Sequence, residues 1–521
     1  MDFSDIPESC AIPSGSVELG PNANKAIHSI VKNSNFDDVR HRRVDSVYRD
    51  DAGEHRIVLR MSSTARLAER RNNTVGWGFV GIVAIATIAV FVWQLTAIPA
   101  GNPFYGLLHN AVDLRVYRAG GDLVLTDVPV YHRALIADLD FTYPPFAAVL
   151  FTPLALVGFG TAKLLWWAAV GISLVVIIGL GFVSLGYRSD VRLWTLSGLM
   201  AVAVTALEPV RTTIWLGQIN VFLMLLVLVD LVFLDLIRPK SKLRGVLVGL
   251  AAGIKLTPGF FVLYLLVVRR WRAAAAAIAT VVVTIIIGFL VIPGDSRDYW
   301  TTYLGSADRV GRVDSPANQS INGCISQLLA YFGATKYLKP YIEGGNVFEA
   351  PLWMWFPVAA VVGVLGLWAA VVAYRRGWRL LSVTTAGMTG AAVSPFSWGH
   401  HWVWVVPLLI VAIDVAYRGA RSDRAKMWWW LGPIALVLAT FSWTYNWWNS
   451  GPYHRSDHAI AIGLFMMPRW PHTNALNSLA VVLYSGAYPL VLLVTVAVTL
   501  VCAYRKPVQV VETSAAPQPV S

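Results

Sequence analysis

The chain has 521 residues, 56% of them hydrophobic and only 14% charged, with a mean hydropathy of +0.57. Apolar runs of about 18 residues or more recur from Trp77 to Ala503, each long enough to cross a bilayer core of ~30 Å, which excludes a soluble globular domain. Period-2 alternation in short segments is absent, so a spanning β-barrel is excluded as well. The net charge of +12 reads as positive-inside bias rather than a nucleic-acid footprint, because the basic residues cluster in short loops between spans.

In chain order, residues 1–75 lack a sustained apolar pattern and predict a largely disordered segment with no cleavable signal. Between Arg40 and Arg71, nine Lys/Arg stand against five Asp/Glu, which places this segment in the cytoplasm; Met61 offers an alternative start. The first span is predicted at 77–98. Basic loops at 187–192, 238–244, 269–272, 374–379, 417–426 and 504–507 read as cytoplasmic. The facing segments are 99–143, 208–217, 294–350, 396–400 and 446–475, richer in Trp, Asn, Gly and Pro. Further spans fall near 162–186, 192–208, 217–237, 273–293, 351–373, 380–396, 401–417, 427–446 and 476–503. The short stretch 144–158 lies obliquely, and 245–268, too short for two crossings, predicts two short helices broken around "GIKLTP". Residues 507–521 are polar and Pro/Ala-rich, predicting a disordered cytoplasmic tail. The expectation is an all-α polytopic membrane protein over 76–506 with about 10–13 transmembrane helices, both termini inside. Cys10, Cys324 and Cys502 are scattered, with no CxxC and no metal-ligand spacing, so neither a disulfide framework nor a metal site is expected.

Polar residues that membrane depth penalises carry the functional information. Asp113, in "AVDLRVYRAGG", is either a solvated carboxylate paired to Arg115 or Arg118, or a general base held near the membrane surface; Tyr117, four residues on, shares its face if the segment is helical. Helical rise puts Lys255 ~16–21 Å from either neighbouring basic edge, where an ammonium needs an anion or a wet cavity. "EPVRTTIWLGQIN" sets Glu208 and Arg211 three apart, as an ion pair or as a phosphate clamp through Arg211, with Gln218 and Asn220 suited to a polyol. "PANQSINGC" offers Asn318, Gln319 and Asn322, as turn formers or hydrogen-bonders, and a sequon at Asn318. "SPFSWGHHW" places His400 and His401 at the end of a span; two histidines are too few for zinc, and contact with a phosphate or sugar is the better functional reading. Together these suit recognition of a sugar carried on a lipid phosphate.

"DLRVYRAGG", "FTYPPFAAVLFTPLALV" (141–157), "WLGQINVFLMLLVLVD" (215–230), "GIKLTPGFFVLYLL" (253–266), "NQS" (318–320) and "SPFSWGHHWVWVVPLL" (394–409) follow one another in this order. With them the chain resembles the PimE-like, polyprenol-phosphate-mannose-dependent α-1,2-mannosyltransferases of actinobacteria, glycosyltransferase family 87 of the GT-C class, over roughly residues 77–500. It departs from them at Gly399, where the family's histidine motif often carries an acidic residue. The resemblance implies a GT-C-type fold, a polyprenyl-phosphate-mannose donor, a mannosylated phosphatidylinositol or lipomannan/lipoarabinomannan acceptor, membrane lipid as surroundings and no cofactor. It implies Asp113 as the base in an outer loop. It further implies Arg115, Arg211, Lys255, His400 and His401 at the donor phosphate, and Tyr117, Tyr143, Gln218, Asn220, Asn318, Gln319 and Asn322 at the acceptor or sugar. Transfer of another sugar such as arabinofuranose is the alternative within enzymes. A lipid or sugar transporter is the alternative outside them, and no inverted repeat supports it.

Overall fold

The computed structural model describes residues 42–49, 55–61, 73–97, 106–238, 241, 243–341, 344–422, 427–442, 463–467 and 475–505. The predicted tail 507–521, Cys10 and most of the facing segment 446–475 lie outside them. Two compact units are present, one containing Arg42–Arg49, His55–Met61 and Gly186–Arg188 and the other the helical body of Thr74–Leu185 and Ser189–Ala503.

In the first unit, β1 (Arg42–Arg49) and β2 (His55–Met61) pair antiparallel, with a register shift between Val44 and Ser46. Within the segment expected to be largely disordered, these two strands are short runs containing β-branched residues.

The second unit is the all-α polytopic body expected from the sequence. Its long apolar helices are α1 (Trp77–Ala97), α4 (Phe159–Ser184), α10 (Trp271–Val291), α13 (Leu352–Arg375), α15 (Val405–Ser422) and α18 (Ala487–Arg505). Ile82, Ile85, Ile88 and Phe91 of α1 and Leu290 of α10 are largely exposed, a pattern that fits acyl chains rather than water. Shorter helices fill the interior. The first of these are α2 (Val112–Leu125), α3 (Pro145–Leu150), α5 (Val191–Ala203), α6 (Glu208–Leu216) and α7 (Asn220–Leu228). They continue with α8 (Val246–Ile254), α9 (Phe260–Val267), α11 (Pro293–Thr301), α12 (Ile321–Tyr331), α14 (Arg379–Val393), α16 (Leu431–Thr440) and α17 (Ala475–Ser485). A small hairpin, β3 (Leu338–Pro340) with β4 (Asn346–Phe348), interrupts the 294–350 segment.

α14 is almost wholly buried although its sequence is rich in Thr, Gly and Ala. Thr384, Thr385 and Thr389 each return their hydroxyl to the carbonyl four residues earlier, so no polar group meets lipid. The small side chains let α13 approach closely: a Cβ at Gly366 would strike Thr389.

The predicted break at "GIKLTP" is present. α8 ends at Ile254, Lys255 is extended, and a short turn at Thr257–Gly259 leads into α9. α8 is anchored at its other end by Asp230, whose carboxylate accepts the N–H groups of Gly245 (2.7 Å) and Val248 (3.0 Å), a helix cap supplied from a π turn that continues α7. A cap at one end thereby sets where Lys255 lands at the other. The single span expected over 476–503 is two helices, α17 and α18, meeting at Gly486.

Candidate active site

The site begins where α2 meets the corner between α6 and α7. Ala111, in left-handed backbone (φ 47°), donates its N–H to the carbonyl of Trp215 at 2.8 Å and starts α2 against that corner. Gly217 closes α6 with φ 73°, and a Cβ there would come within 2.8 Å of Leu114, so glycine is required both by the turn and by the contact. This junction, between residues about a hundred apart in sequence, sets Asp113 beside Gln218.

Gln218 Nε2 donates to Asp113 Oδ2 at 2.6 Å. Its carbonyl oxygen accepts from Tyr117 Oη (2.9 Å), Tyr143 Oη (3.2 Å) and, at the long limit, Asn220 Nδ2 (3.4 Å). The two tyrosine hydroxyls also lie 2.7 Å apart. A flipped amide would set its carbonyl against the carboxylate, so the partners fix its orientation. Lys255 Nζ donates to Tyr143 Oη at 3.3 Å and to Asn220 Oδ1 at 3.2 Å, and lies 2.8 Å from His401 Nε2. An ammonium only donates, so His401 accepts through Nε2 and carries its proton on Nδ1. Seven side chains predicted from sequence thus form one network, with an ammonium at one end and a carboxylate at the other.

Asp113 is half-buried. Burial pushes its carboxyl up from 3.8 to about 6, against the opposing effects of the Gln218 hydrogen bond and the Lys255 charge. Such a group is ionised at neutral pH yet basic enough to take a proton, and Oδ1 accepts no hydrogen bond among the described residues.

A second polar cluster surrounds Glu208 at the start of α6. Its carboxylate is fully buried and accepts from Tyr488 Oη (2.6 Å) and Thr212 Oγ1 (2.8 Å). A Cβ on Gly399 would lie 2.5 Å from Glu208 Oε2, so the carboxylate fills the space a side chain at 399 would take. An acidic group therefore does stand beside the histidine turn, delivered from α6. His400 is 2% exposed and its ring stacks on Phe465 with centroids 6.1 Å apart. Both its ring nitrogens lack a partner among the described residues. Arg211 is buried one turn beyond Glu208, whose charge acts on it.

Not every predicted residue joins these groups. Arg115 is exposed, with its guanidinium 4.2 Å over the ring of Phe159, and Arg118 bonds the carbonyls of Ala155 and Val157. Asn318 and Gln319 commit their amides to the loop and its neighbours. Asn318 donates to Val313 and accepts from Ser320 and Ser397, while Gln319 donates to Pro316 and Tyr484 and accepts from Tyr488. Both are fully buried. Asn322 donates to Pro395, and its carbonyl oxygen has no partner among the described residues. Tyr488 and Thr212 are the residues that the sequence did not announce. Tyr488 meets Glu208 across 280 positions, and no local signal marks it. Among the described residues no three His, Cys, Asp or Glu converge on a point.

A helical membrane protein in which a carboxylate is wired through a glutamine and two tyrosines to a lysine and a histidine has the make-up of an integral-membrane group-transfer enzyme. The chain belongs to glycosyltransferase family 87, whose model matches residues 141–395. That stretch contains Tyr143, Gln218, Asn220 and Lys255; Asp113 and His401 lie just outside it. It is 34% identical over 342 residues to a polyprenol-phosphate-mannose-dependent α-(1-2)-phosphatidylinositol pentamannoside mannosyltransferase of Mycolicibacterium smegmatis, covering 64% of this chain and 76% of the relative. The protein of the same description from Mycobacterium tuberculosis is 36% identical over 62% of this chain and 70% of its own. A phosphatidylinositol mannoside mannosyltransferase of M. smegmatis with the same donor dependence is 31% identical over 71% of this chain and 82% of its own. No solved structure matches the chain.

Proposed function

We propose that this chain transfers mannose from polyprenyl-phosphate-mannose to the 2-hydroxyl of a mannose on a phosphatidylinositol mannoside or lipomannan/lipoarabinomannan acceptor, forming an α-1,2 linkage with inversion. The observation that carries the reading is a poised carboxylate, Asp113, joined through Gln218 and two tyrosines to Lys255, in a chain whose relatives bear that activity in their names.

Asp113 Oδ1 takes the proton from the acceptor hydroxyl as its oxygen attacks the anomeric carbon of β-mannosyl phosphate from the opposite face. The bond from that carbon to the phosphate oxygen breaks, and the polyprenyl phosphate leaves with the electron pair as a dianion. Its charge rises during cleavage, and Lys255, His400, His401 and Arg211 are the groups we assign to stabilising it. The leaving group is already anionic, so no separate general acid is needed.

The site faces outward and both termini lie inside. This orientation rests on the basic end at Arg238, which helical rise places about 27 Å from Asn220 along one continuous helix. The test is label transfer from mannosyl-phosphoryl-polyprenol to mannosylated phosphatidylinositol by purified protein. Asp113→Asn should lower the rate by roughly 10²–10⁴. Near-wild-type transfer by that variant removes Asp113 as the base. Transfer by the wild type only from another polyprenyl-phosphate sugar replaces mannose as the donor sugar.

A further inference from the structure

Gln218 lies where a sugar ligand is expected, yet one N–H of its amide and its carbonyl oxygen are both engaged by protein side chains. Its N–H side holds Asp113 Oδ2, and its carbonyl gathers three donors, two of which, Tyr143 and Asn220, Lys255 bonds in turn. We propose that Gln218 is the positioning residue of the base: by clamping Oδ2 it turns the other carboxylate oxygen, Oδ1, toward the acceptor and fixes the plane in which the proton is taken. The proposal rests on Asp113 being the base, and it removes Gln218 from the sugar subsite.

Three features of the geometry support this. The clamp is short, 2.6 Å, as expected when the acceptor is charged. Gln218 is 6% exposed, which leaves little of it for a substrate to touch. Every donor on the path also runs one way. The ammonium donates to Tyr143 and Asn220, these donate to Gln218 directly or through Tyr117, and Gln218 donates to the carboxylate. Hydrogen bonds aligned head to tail polarise one another, so the amide presents a stronger donor to Asp113 than an isolated glutamine would. The titratable and charged groups facing Asp113 are Tyr117 from its own helix, Tyr143 from the segment before α3 and Lys255 from the end of α8. Glu208 and Arg211 sit at the far end of α6 from Gln218.

The experiment compares Gln218→Leu, Gln218→Glu and Asp113→Asn with the wild type in the transfer assay, recording kcat, both KM values and the pH dependence of kcat/KM. The Gln218 bond favours the ionised form of Asp113, so its loss in Gln218→Leu should raise the acid limb by about one pH unit. The same variant should lower kcat at least tenfold at neutral pH and leave both KM values within about twofold. Gln218→Glu keeps the size and the packing but puts a second carboxyl on Oδ2, so the two share a proton and the limb should move up further. This variant guards against a Gln218→Leu protein that fails to fold. A raised acceptor KM with an unmoved limb in both variants would make Gln218 a sugar ligand and overturn the proposal. So would an unchanged kcat and limb in variants whose Asp113→Asn counterpart is inactive. An active Asp113→Asn instead overturns the base itself.

Discussion

The sharpest consequence of the site is its pH profile. As the proposed base, Asp113 must be ionised to accept a proton, and burial raises its carboxyl from the ordinary 3.8 to about 6. The sign follows directly: activity is present above that value and is lost as pH falls through it, because protonation removes the base. At pH 5, one unit below, only about a tenth of the enzyme carries the carboxylate, so kcat/KM should stand roughly tenfold below its plateau. A solvated aspartate at 3.8 would remain about nine-tenths ionised at the same pH and lose almost nothing. The donor is a phosphodiester that stays ionised throughout, so it contributes no limb of its own. Initial rates at subsaturating donor, from about pH 4.5 to 8, with the protein held in one detergent and its folded state followed by intrinsic fluorescence, give the profile. Lys255→Met should raise the limb further, since the ammonium favours the ionised carboxyl. A plateau that extends flat to pH 5 in the wild type would refute the placement of Asp113 as a buried, poised base.

Lys255→Arg keeps the charge, but a planar guanidinium cannot reproduce the ammonium's contacts with Tyr143, Asn220 and His401, so kcat should fall about tenfold or more in the transfer assay. Gly399→Ala should destabilise the protein by about 1–3 kcal/mol, because the new methyl dislodges the Glu208 carboxylate from Tyr488 and Thr212. Thermal unfolding in detergent reads this loss, and Glu208→Ala in the same chain should relieve part of it, giving a non-additive double-mutant cycle. Gln319→Leu should likewise cost about 1–3 kcal/mol by stranding the carbonyls of Pro316 and Tyr484, with both KM values unchanged.

The sequence was most informative where depth alone made a residue expensive. Lys255 stood out because helical rise placed it far from any basic edge, and the structure sets it in the predicted break between α8 and α9, bonded to three side chains. Six of the ten spans predicted from apolar runs hold a helix long and apolar enough to cross a membrane, whereas those near 192–208, 217–237, 380–396 and 427–446 are shorter helices, and the one over 476–503 is divided between α17 and α18. The hairpin at 42–61 escaped notice because short alternating strands carry a weak signal beside apolar runs of about 18 residues.

Polar amides behaved differently, and the contrast between Gln218 and Gln319 explains why. Both are buried in short polar stretches, and both have the same donors and acceptors to satisfy once water is excluded. One is engaged by Asp113 and two tyrosines, the other by the backbone of its own loop and of the α17–α18 corner. Nothing within a few residues of either tells these outcomes apart, because the deciding partner is far away in sequence: 105 positions for Asp113, 165 for Tyr484. The Glu208 cluster makes the same point from the other side. Gly399 reads as a missing acid until the tertiary contact shows that a carboxylate from α6 already occupies its space. For buried polar groups at a membrane boundary, residue type establishes that a partner must exist, and only the fold decides whether that partner is a loop, a catalytic group or a substrate.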